Sequence, residues 1–259
     1  MKNDIYALIV IYNKNCNESI SYNCIKKVDG INIIVCDNST KDFNNQVVIE
    51  NDGFIYLSMQ GNKGLSSAYN KALDYLKGKD GWLCIFDDDT EVPAEYFDEI
   101  KLLINDNSYD IFLPQVICNN GLMSPVNFKK YKVNKVKSID EIDNKYIAGI
   151  NSGLAVNLDF LGDYRYDHNL FLDFVDYKFI IDMREKNAKF KILDTILIQS
   201  FSGESSDKSA VRTRFIIKKK DLKYFYSKSF TAKLYYIYLI LRMKIKLILK
   251  FKDIRILLW

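Results

Sequence analysis

The chain of 259 residues is long enough for one α/β domain, alone or with an appendage, and its 48% hydrophobic content supports a substantial core and excludes disorder. Five scattered cysteines (Cys16, Cys24, Cys36, Cys84 and Cys118) form no Cys-x-x-Cys pair, and His168 is the sole histidine, so a zinc site, a disulfide framework and a Ser-His-Asp mechanism are disfavoured. The net charge of +4 divides unevenly: Val211 to Trp259 carries fourteen Lys/Arg against Asp221 and Asp253, a balance of +12, which leaves −8 on the first 210 residues. That break divides the chain into a mildly acidic body, residues 1–210, and a basic tail, residues 211–259, with the boundary near Ser202–Ala210. The apolar run after Met1-Lys2-Asn3-Asp4 is too short for a signal-peptide core, and a reducing cytoplasm is expected.

In chain order, Ile5 to Ile11 reads as a buried strand ending at Tyr12-Asn13, with no Gly-x-Gly-x-x-Gly after it. Asn17 or Ser19 caps a short helix through Val28. Ile31 to Cys36 is a second strand, ending in the polar cluster Asp37-Asn38-Ser39-Thr40, and Phe54 to Met59 a third. Gly61-Asn62-Lys63-Gly64 then feeds a helix with Leu65, Ala68, Tyr69, Ala72, Leu73 and Leu76 at helical spacing, closed by Gly78. Such a turn offers backbone N–H groups and a favourable dipole to an anion. Trp82 to Phe86 is a fourth strand, and Pro93 opens a helix carrying Tyr96, Phe97, Ile100, Leu103 and Ile104. Asp110 to Val116 reads as strand, Gly121 to Asn144 as a Lys-rich surface excursion, and Leu154-Ala155-Val156 as an apolar segment after Asn151-Ser152-Gly153. Asp173 and Asp176 stand at i and i+3, which on a helical turn places them on one face, and that helix runs to Asn187. Phe190 to Ile198 is a last strand, ending at Gln199-Ser200-Phe201-Ser202-Gly203.

The fourth strand runs into three adjacent carboxylates, Asp87-Asp88-Asp89. Three like charges side by side repel unless a cation or donors neutralise them. Open α/β sheets bind ligands at the carboxyl ends of their strands, where this triplet falls. In an extended chain Asp87 and Asp89 project to one side and Asp88 to the other. Carboxylate oxygens suit Mg²⁺ or Mn²⁺. The triplet therefore reads as a divalent-cation site that clamps a diphosphate, against the plainer reading of an acidic turn. An EF-hand is excluded, because Val92 and Asp98 occupy the positions of its glycine and glutamate.

Taken together and in order, these clusters resemble the family 2 glycosyltransferases of the GT-A fold, especially the bacterial rhamnosyltransferase-like branch. The resemblance covers about Ile5 to Gly203. It rests on Ile9-Val10-Ile11-Tyr12-Asn13 (with Ile11 in place of the usual Thr), Asp37-Asn38-Ser39, Asn62-Lys63-Gly64 with Asn70, Asp87-Asp88-Asp89, Ser152-Gly153, and Leu170-Phe171-Leu172-Asp173-Phe174-Val175-Asp176. It implies a mostly parallel nucleotide-binding α/β sheet flanked by helices, residues 1–210 as the catalytic domain, and a basic helical tail over 211–259.

By the same resemblance the chain is an inverting, metal-dependent enzyme that moves a sugar from a dTDP- or UDP-sugar donor to a hydroxyl of a lipid-linked saccharide. Tyr12, Asp37 and Asn38 then read the base and ribose. Asn62, Gly64 and Asn70 shape the wall beneath the nucleotide, Asp88 assists on the donor side, and Ser152 and Gly153 lie on the acceptor side. Asp87 and Asp89 hold Mn²⁺ or Mg²⁺. The family often carries a histidine late in the chain as a further ligand; this chain has Gln199, whose carbonyl also suits a hard cation. Asp176 is the favoured general base, with Asp173 as its rival, and apolar neighbours Phe174, Val175 and Tyr177 raise its pKa. The alternative is a nucleotidyltransferase acting on sugar phosphates, disfavoured because Tyr12-Asn13-Lys14-Asn15 lacks the glycine-rich, basic loop that would hold a triphosphate. A non-catalytic sugar-binding protein is disfavoured by the intact Asp87, Asp89 and Asp176.

In the tail, Leu234 to Leu241 is apolar apart from tyrosines, and Arg242, Lys246 and Lys250 recur at helical spacing. No stretch reaches the roughly 20 apolar residues of a spanning helix. The pattern reads as a basic amphipathic helix lying on an anionic membrane surface, which makes the enzyme cytoplasmic and peripheral. A packed helical cap is the plainer reading. Nucleic acid is not expected as a partner, since the body is acidic and no recognition motif accompanies the charge.

Overall fold

The computed structural model describes residues 4–106, 108–118, 121–199 and 206–259. The Ser200–Gly203 strand end read from the sequence, and the first residues of the charge boundary at Ser202, lie outside the described residues. In chain order the elements are β1 (Ile5–Ile11), α1 (Ile20–Ile25), β2 (Ile31–Asp37), α2 (Asn45–Asn51), β3 (Ile55–Ser58), α3 (Leu65–Tyr75), β4 (Trp82–Asp87), β5 (Thr90–Glu91) and α4 (Ala94–Leu103). They continue as β6 (Ile111–Cys118), β7 (Gly121–Ser124), β8 (Val126–Lys129), β9 (Lys132–Asn134), β10 (Ile147–Ala148), β11 (Leu154–Asn157), α5 (Leu158–Leu161), α6 (Val175–Glu185), β12 (Phe190–Gln199), α7 (Lys208–Phe225) and α8 (Phe230–Phe251).

One sheet runs β3-β2-β1-β4-β11-β6-β12-β5, with β7 paired to β6. β1, β2, β3 and β4 are parallel to one another, β12 is parallel to β6, and β11 is inserted antiparallel between β4 and β6. The apolar runs of β1 and β4 are continuous because both faces of the sheet are covered. Tyr6, Leu8 and Val10 enter one core with Tyr69 of α3 and Phe179 of α6. Ile5, Ala7, Ile9 and Ile11 enter the other, with Tyr22 of α1 and Phe97 of α4. The predicted class, a mostly parallel α/β sheet flanked by helices with a helical C-terminal segment, is observed.

Two local expectations change, and one helix appears that the sequence did not announce. The excursion from Gly121 is ordered: β8, β9 and β10 form a small antiparallel sheet whose Val126 and Phe128 point into the core. α2 carries no apolar stripe long enough to announce it, and buries only Asn45 and Ile49. Asp173 and Asp176 do not share a helical face. Phe174 caps α6 with φ +65°, so the helix starts at Val175, ends at Glu185, and leaves Asp173 outside it.

Helices α7 and α8 pack on each other around Phe215, Leu222, Tyr226, Ala232 and Ile240, and Phe174 joins this cluster. Among the described residues, no helix is long and apolar enough to cross a membrane.

Candidate active site

The carboxyl ends of β1, β2 and β4 meet at one edge of the sheet, because the three strands are parallel and in register. Here β4 turns through Asp88-Asp89 into the short β5, and that turn is braced on both sides. From α1, the Ser21 hydroxyl donates to the carbonyls of Asp87 and Thr90, and the Ser19 hydroxyl and the Ile20 N–H donate to the Asp88 carbonyl at 3.0 and 2.9 Å. From below, the Asp87 N–H donates to Ser152 Oγ at 3.2 Å, and Ser152 Oγ lies 2.6 Å from Thr90 Oγ1. Ser152 is buried, and the Gly153 N–H donates to the Ile85 carbonyl at 2.6 Å. A Cβ on Gly153 would lie 2.3 Å from Leu197 and 2.6 Å from Pro114. Both residues thus sit beneath the carboxylate turn and shape it from behind.

The alternation expected of the triplet holds. Asp87 and Asp89 converge on Gln199, whose Nε2 donates to both at 2.9 and 3.1 Å, while Asp88 pairs with Lys14 at 3.0 Å. Burial, then the neighbouring Asp89 charge, pushes the Asp87 carboxyl up to about 7. Burial also raises Asp88, against the pull of Lys14. Gln199 is buried, and its Oε1 has no hydrogen-bond partner. An orphaned carbonyl oxygen on an amide that bridges two carboxylates is a donor set that fits a hard divalent cation. Among the described residues no three His, Cys, Asp or Glu side chains gather as a metal site. A cation held by Asp87, Asp89 and Gln199 would therefore complete its shell with substrate and water oxygens.

Asp176, in the first turn of α6, faces the same cleft. Burial and then the Asp87 charge push its carboxyl up to about 8, against the backbone N–H of Asn151 that donates to it. Asn151 is buried, and neither atom of its side-chain amide has a partner. Asp173 points elsewhere: Arg214 grips its carboxylate, one bond measuring 2.9 Å, and Lys218 stands 3.4 Å away. The cleft therefore brings Asp176 together with Asp87 and sets Asp173 against α7.

On the β1–β2 side, Tyr12 is 48% exposed, enough of its ring to stack on a base. Asp37 is buried and accepts from the Ser39 N–H, Asn45 Nδ2 and Tyr56 hydroxyl at 2.9, 2.9 and 3.2 Å, which leaves little of its capacity for a ligand. Asn38 ties the end of β2 to the glycine turn, donating to Asn62 Oδ1 at 3.1 Å and accepting the Lys63 N–H at 2.8 Å. Asn62 Oδ1 also takes the Gly64 N–H at 3.1 Å. Gly64 has φ +85°, and a Cβ there would lie 2.6 Å from the Phe171 carbonyl oxygen, so only glycine fits under the loop that precedes α6. Asn70 exchanges two hydrogen bonds with the Tyr166 backbone, at 2.9 and 2.8 Å, and so holds the start of that loop.

Sequence reasoning missed Ser19 and Ser21 as braces of the triplet, Asn45 as the partner of Asp37, and Asp221 of α7. The last had a signal: it is one of two acidic residues among fourteen cations in the tail.

The curled, mostly parallel sheet, with its carboxylate turn at the ligand edge and β11 inserted antiparallel, is the GT-A architecture. The profile described as Glycosyl transferase family 2 matches residues 7–153, more than half of the chain, and the chain belongs to that family. Solved structures with the same fold include GalNAc-T7 with UDP, GalNAc and Mn²⁺, at 12% identity and TM-score 0.57, with 75% of this chain covered and 43% of that one. S. aureus TarS matches at 17% identity and TM-score 0.56, covering 88% of this chain and 44% of that one. TarS 1-349 with UDP-GlcNAc matches at 16% identity and TM-score 0.54, covering 84% and 66%. This chain thus spans less than half the length of GalNAc-T7 and of full TarS. No curated protein sequence matches it.

Proposed function

We propose that the chain is an inverting glycosyltransferase that moves a sugar from a nucleoside-diphosphate donor to a hydroxyl of a growing, lipid-linked surface polysaccharide. The observation that carries this reading is that Asp176 stands close enough to Asp87, the neighbour of Asp89 across Gln199, for the Asp87 charge to raise its pKa in part. A divalent cation on Asp87 and Asp89 would supply charge stabilisation for the departing diphosphate, and Gln199 would join it by turning its amide over to present Oε1 in place of the Nε2 that now donates to both carboxylates. Asp176 takes the proton of the acceptor hydroxyl, and a single displacement inverts the anomeric centre. Tyr12 stacks on the base, and Asp37 with Asn38 fixes the edge of the nucleotide pocket. Lys14, 3.0 Å from Asp88, adds positive charge at the donor side.

Within the family, the motif set favours the rhamnosyltransferase-like branch and a dTDP-sugar. The solved neighbours bind UDP and UDP-GlcNAc, which supports a uridine donor. Thermal shift against dTDP- and UDP-sugars with Mn²⁺ separates the two. A donor at about one hundred times its Kd stabilises by about 2.7 kcal/mol. Release of nucleoside diphosphate in the presence of an acceptor then tests transfer. Synthesis of nucleotide sugar from a triphosphate and a sugar phosphate would instead establish a nucleotidyltransferase.

The same reading places the protein on the cytoplasmic face of a membrane. Leu234, Ile237, Leu241, Ile245 and Leu249 form one face of α8 and are 50–72% exposed. Arg242, Lys246 and Lys250 recur beside them. An exposed apolar stripe flanked by cations is what an interfacial helix presents to anionic lipid.

A further inference from the structure

Helix α7 reaches back to the loop that delivers Asp176. Asp221, with no solvent exposure, accepts the backbone N–H groups of Phe171, Leu172 and Asp173 at 3.0, 2.8 and 2.8 Å. A buried carboxylate is costly unless it is hydrogen-bonded, and here three successive loop amides satisfy it. The loop is held at two further points by the C-terminal helices. Arg214 and Lys218, about two turns and one turn before Asp221 on α7, grip the Asp173 carboxylate. The Phe174 ring packs 4.6 Å from Phe225 and 5.7 Å from Tyr226. On its other side the Phe171 carbonyl accepts the Leu65 N–H at 2.7 Å, at the start of α3.

These contacts surround an unfavourable backbone. Phe174 has φ +65°, a left-handed conformation that a bulky aromatic residue does not adopt unaided. That conformation starts α6 at Val175 and puts Asp176 in its first turn, toward Asp87 rather than alongside Asp173. Without its partners on α7 the loop has no local reason to hold this shape.

We infer that Asp221, with Arg214 and Lys218, is a positioning device for Asp176: α7 fixes the loop 171–174, and the loop fixes the angle at which the base enters the cleft. The inference rests on Asp176 being the base. It separates from a plain tether of α7 to the body, because a positioning role acts on turnover and leaves donor binding alone.

The test uses the full chain and four variants: Asp176→Asn, Asp221→Asn, the double variant Arg214→Gln/Lys218→Gln, and Arg214→Lys. For each, donor Kd with Mn²⁺, KM for acceptor, kcat and Tm are measured. Asp221→Asn keeps the shape but loses acceptor capacity for at least one loop amide. The double variant releases the grip on Asp173 while keeping Asp221 and its three amide bonds, so it remains informative if Asp221→Asn fails to fold. Expected are a kcat lowered about tenfold or more in both, donor Kd within about twofold of wild type, and activity largely kept by Arg214→Lys. Wild-type kcat in the double variant and in a folded Asp221→Asn, beside an inactive Asp176→Asn, overturns the positioning role and leaves the base in place. Parallel loss of donor affinity and kcat reduces Asp221 to a tether and also overturns it. Full activity of Asp176→Asn refutes the base assignment itself, and the positioning role with it.

Discussion

Asp176→Asn should act in opposite directions on activity and stability. The Asp176 carboxyl stands at about 8 in the fold against 3.8 for an unperturbed side chain, chiefly because it is buried and then because Asp87 is close. Its pKa is raised on folding, so between these values the folded state holds a proton that the unfolded chain has released. Stability is then full below about pH 4, falls as pH rises toward 8, and levels off above it. The ceiling on that loss is on the order of 5 kcal/mol. Part of Asp176 opens on the cleft, where water screens the charge, and about 1–2 kcal/mol is the expected share. An isosteric amide removes the titration and keeps an oxygen for the Asn151 N–H. At pH 8.5 the variant should melt about 2–8 °C higher than wild type, and at pH 4 the two should coincide. Turnover should fall about 10²- to 10⁴-fold with donor Kd little changed, while wild-type kcat rises with pH through neutrality as the base ionises. Calorimetry over pH and a donor-release assay give both readings. A variant that melts lower than wild type at pH 8.5, or that turns over normally, refutes the reasoning.

Asp89→Ala should weaken Mn²⁺-dependent donor binding by more than about 100-fold, the upper range that loss of an outer-shell partner alone produces, and Asp87→Ala should weaken it too. Equal donor affinity of the wild type with Mn²⁺ and with chelator would end the metal reading. Gly64→Ala forces a Cβ against the Phe171 carbonyl at positive φ, and should cost about 2–3 kcal/mol in urea unfolding; an unchanged midpoint would show that the loop moves freely. The triple change Leu241→Ser, Ile245→Ser and Leu249→Ser should release the protein from anionic vesicles in co-sedimentation while leaving kcat on a soluble acceptor intact. Undiminished vesicle binding would remove α8 as the anchor.

The parts of the fold legible in the sequence are those whose causes are local. β1, β2 and β4 announce themselves because a strand covered on both faces must be apolar throughout. The opposite aim of Asp88 follows from the two-residue period of a strand, and Gln199 Nε2 between Asp87 and Asp89 bears it out. Asp173 and Asp176 show where local rules stop. Their spacing suits one face of a helix, but the left-handed Phe174 separates them, and its ring is held by Phe225 and Tyr226, some fifty residues later. The three-residue bracing of the Asp87 turn by Ser19, Ser21 and Ser152 was equally invisible, since a serine that accepts or donates to distant backbone carries no periodic signal.

The charge of the C-terminal segment describes its solvent side and not what it buries. α7 turns Arg214 and Lys218 toward Asp173 and sends Asp221, Phe215 and Leu222 inward, whereas α8 leaves Leu241, Ile245 and Leu249 uncovered. The two helices thus offer separate surfaces, one to the loop before α6 and one to the outside. Cutting the chain before α7 removes both at once: it leaves the amides of Phe171, Leu172 and Asp173 without the Asp221 carboxylate and Phe174 without Phe225 and Tyr226. A truncated protein that fails to bind vesicles and also fails to turn over would say nothing about which surface was lost. Substitutions on the outer face of α8 leave the Asp221 contacts in place, and substitutions at Arg214 and Lys218 leave the apolar stripe in place. The proposed membrane role and the positioning role therefore predict two separate losses, vesicle binding from the first set and kcat from the second.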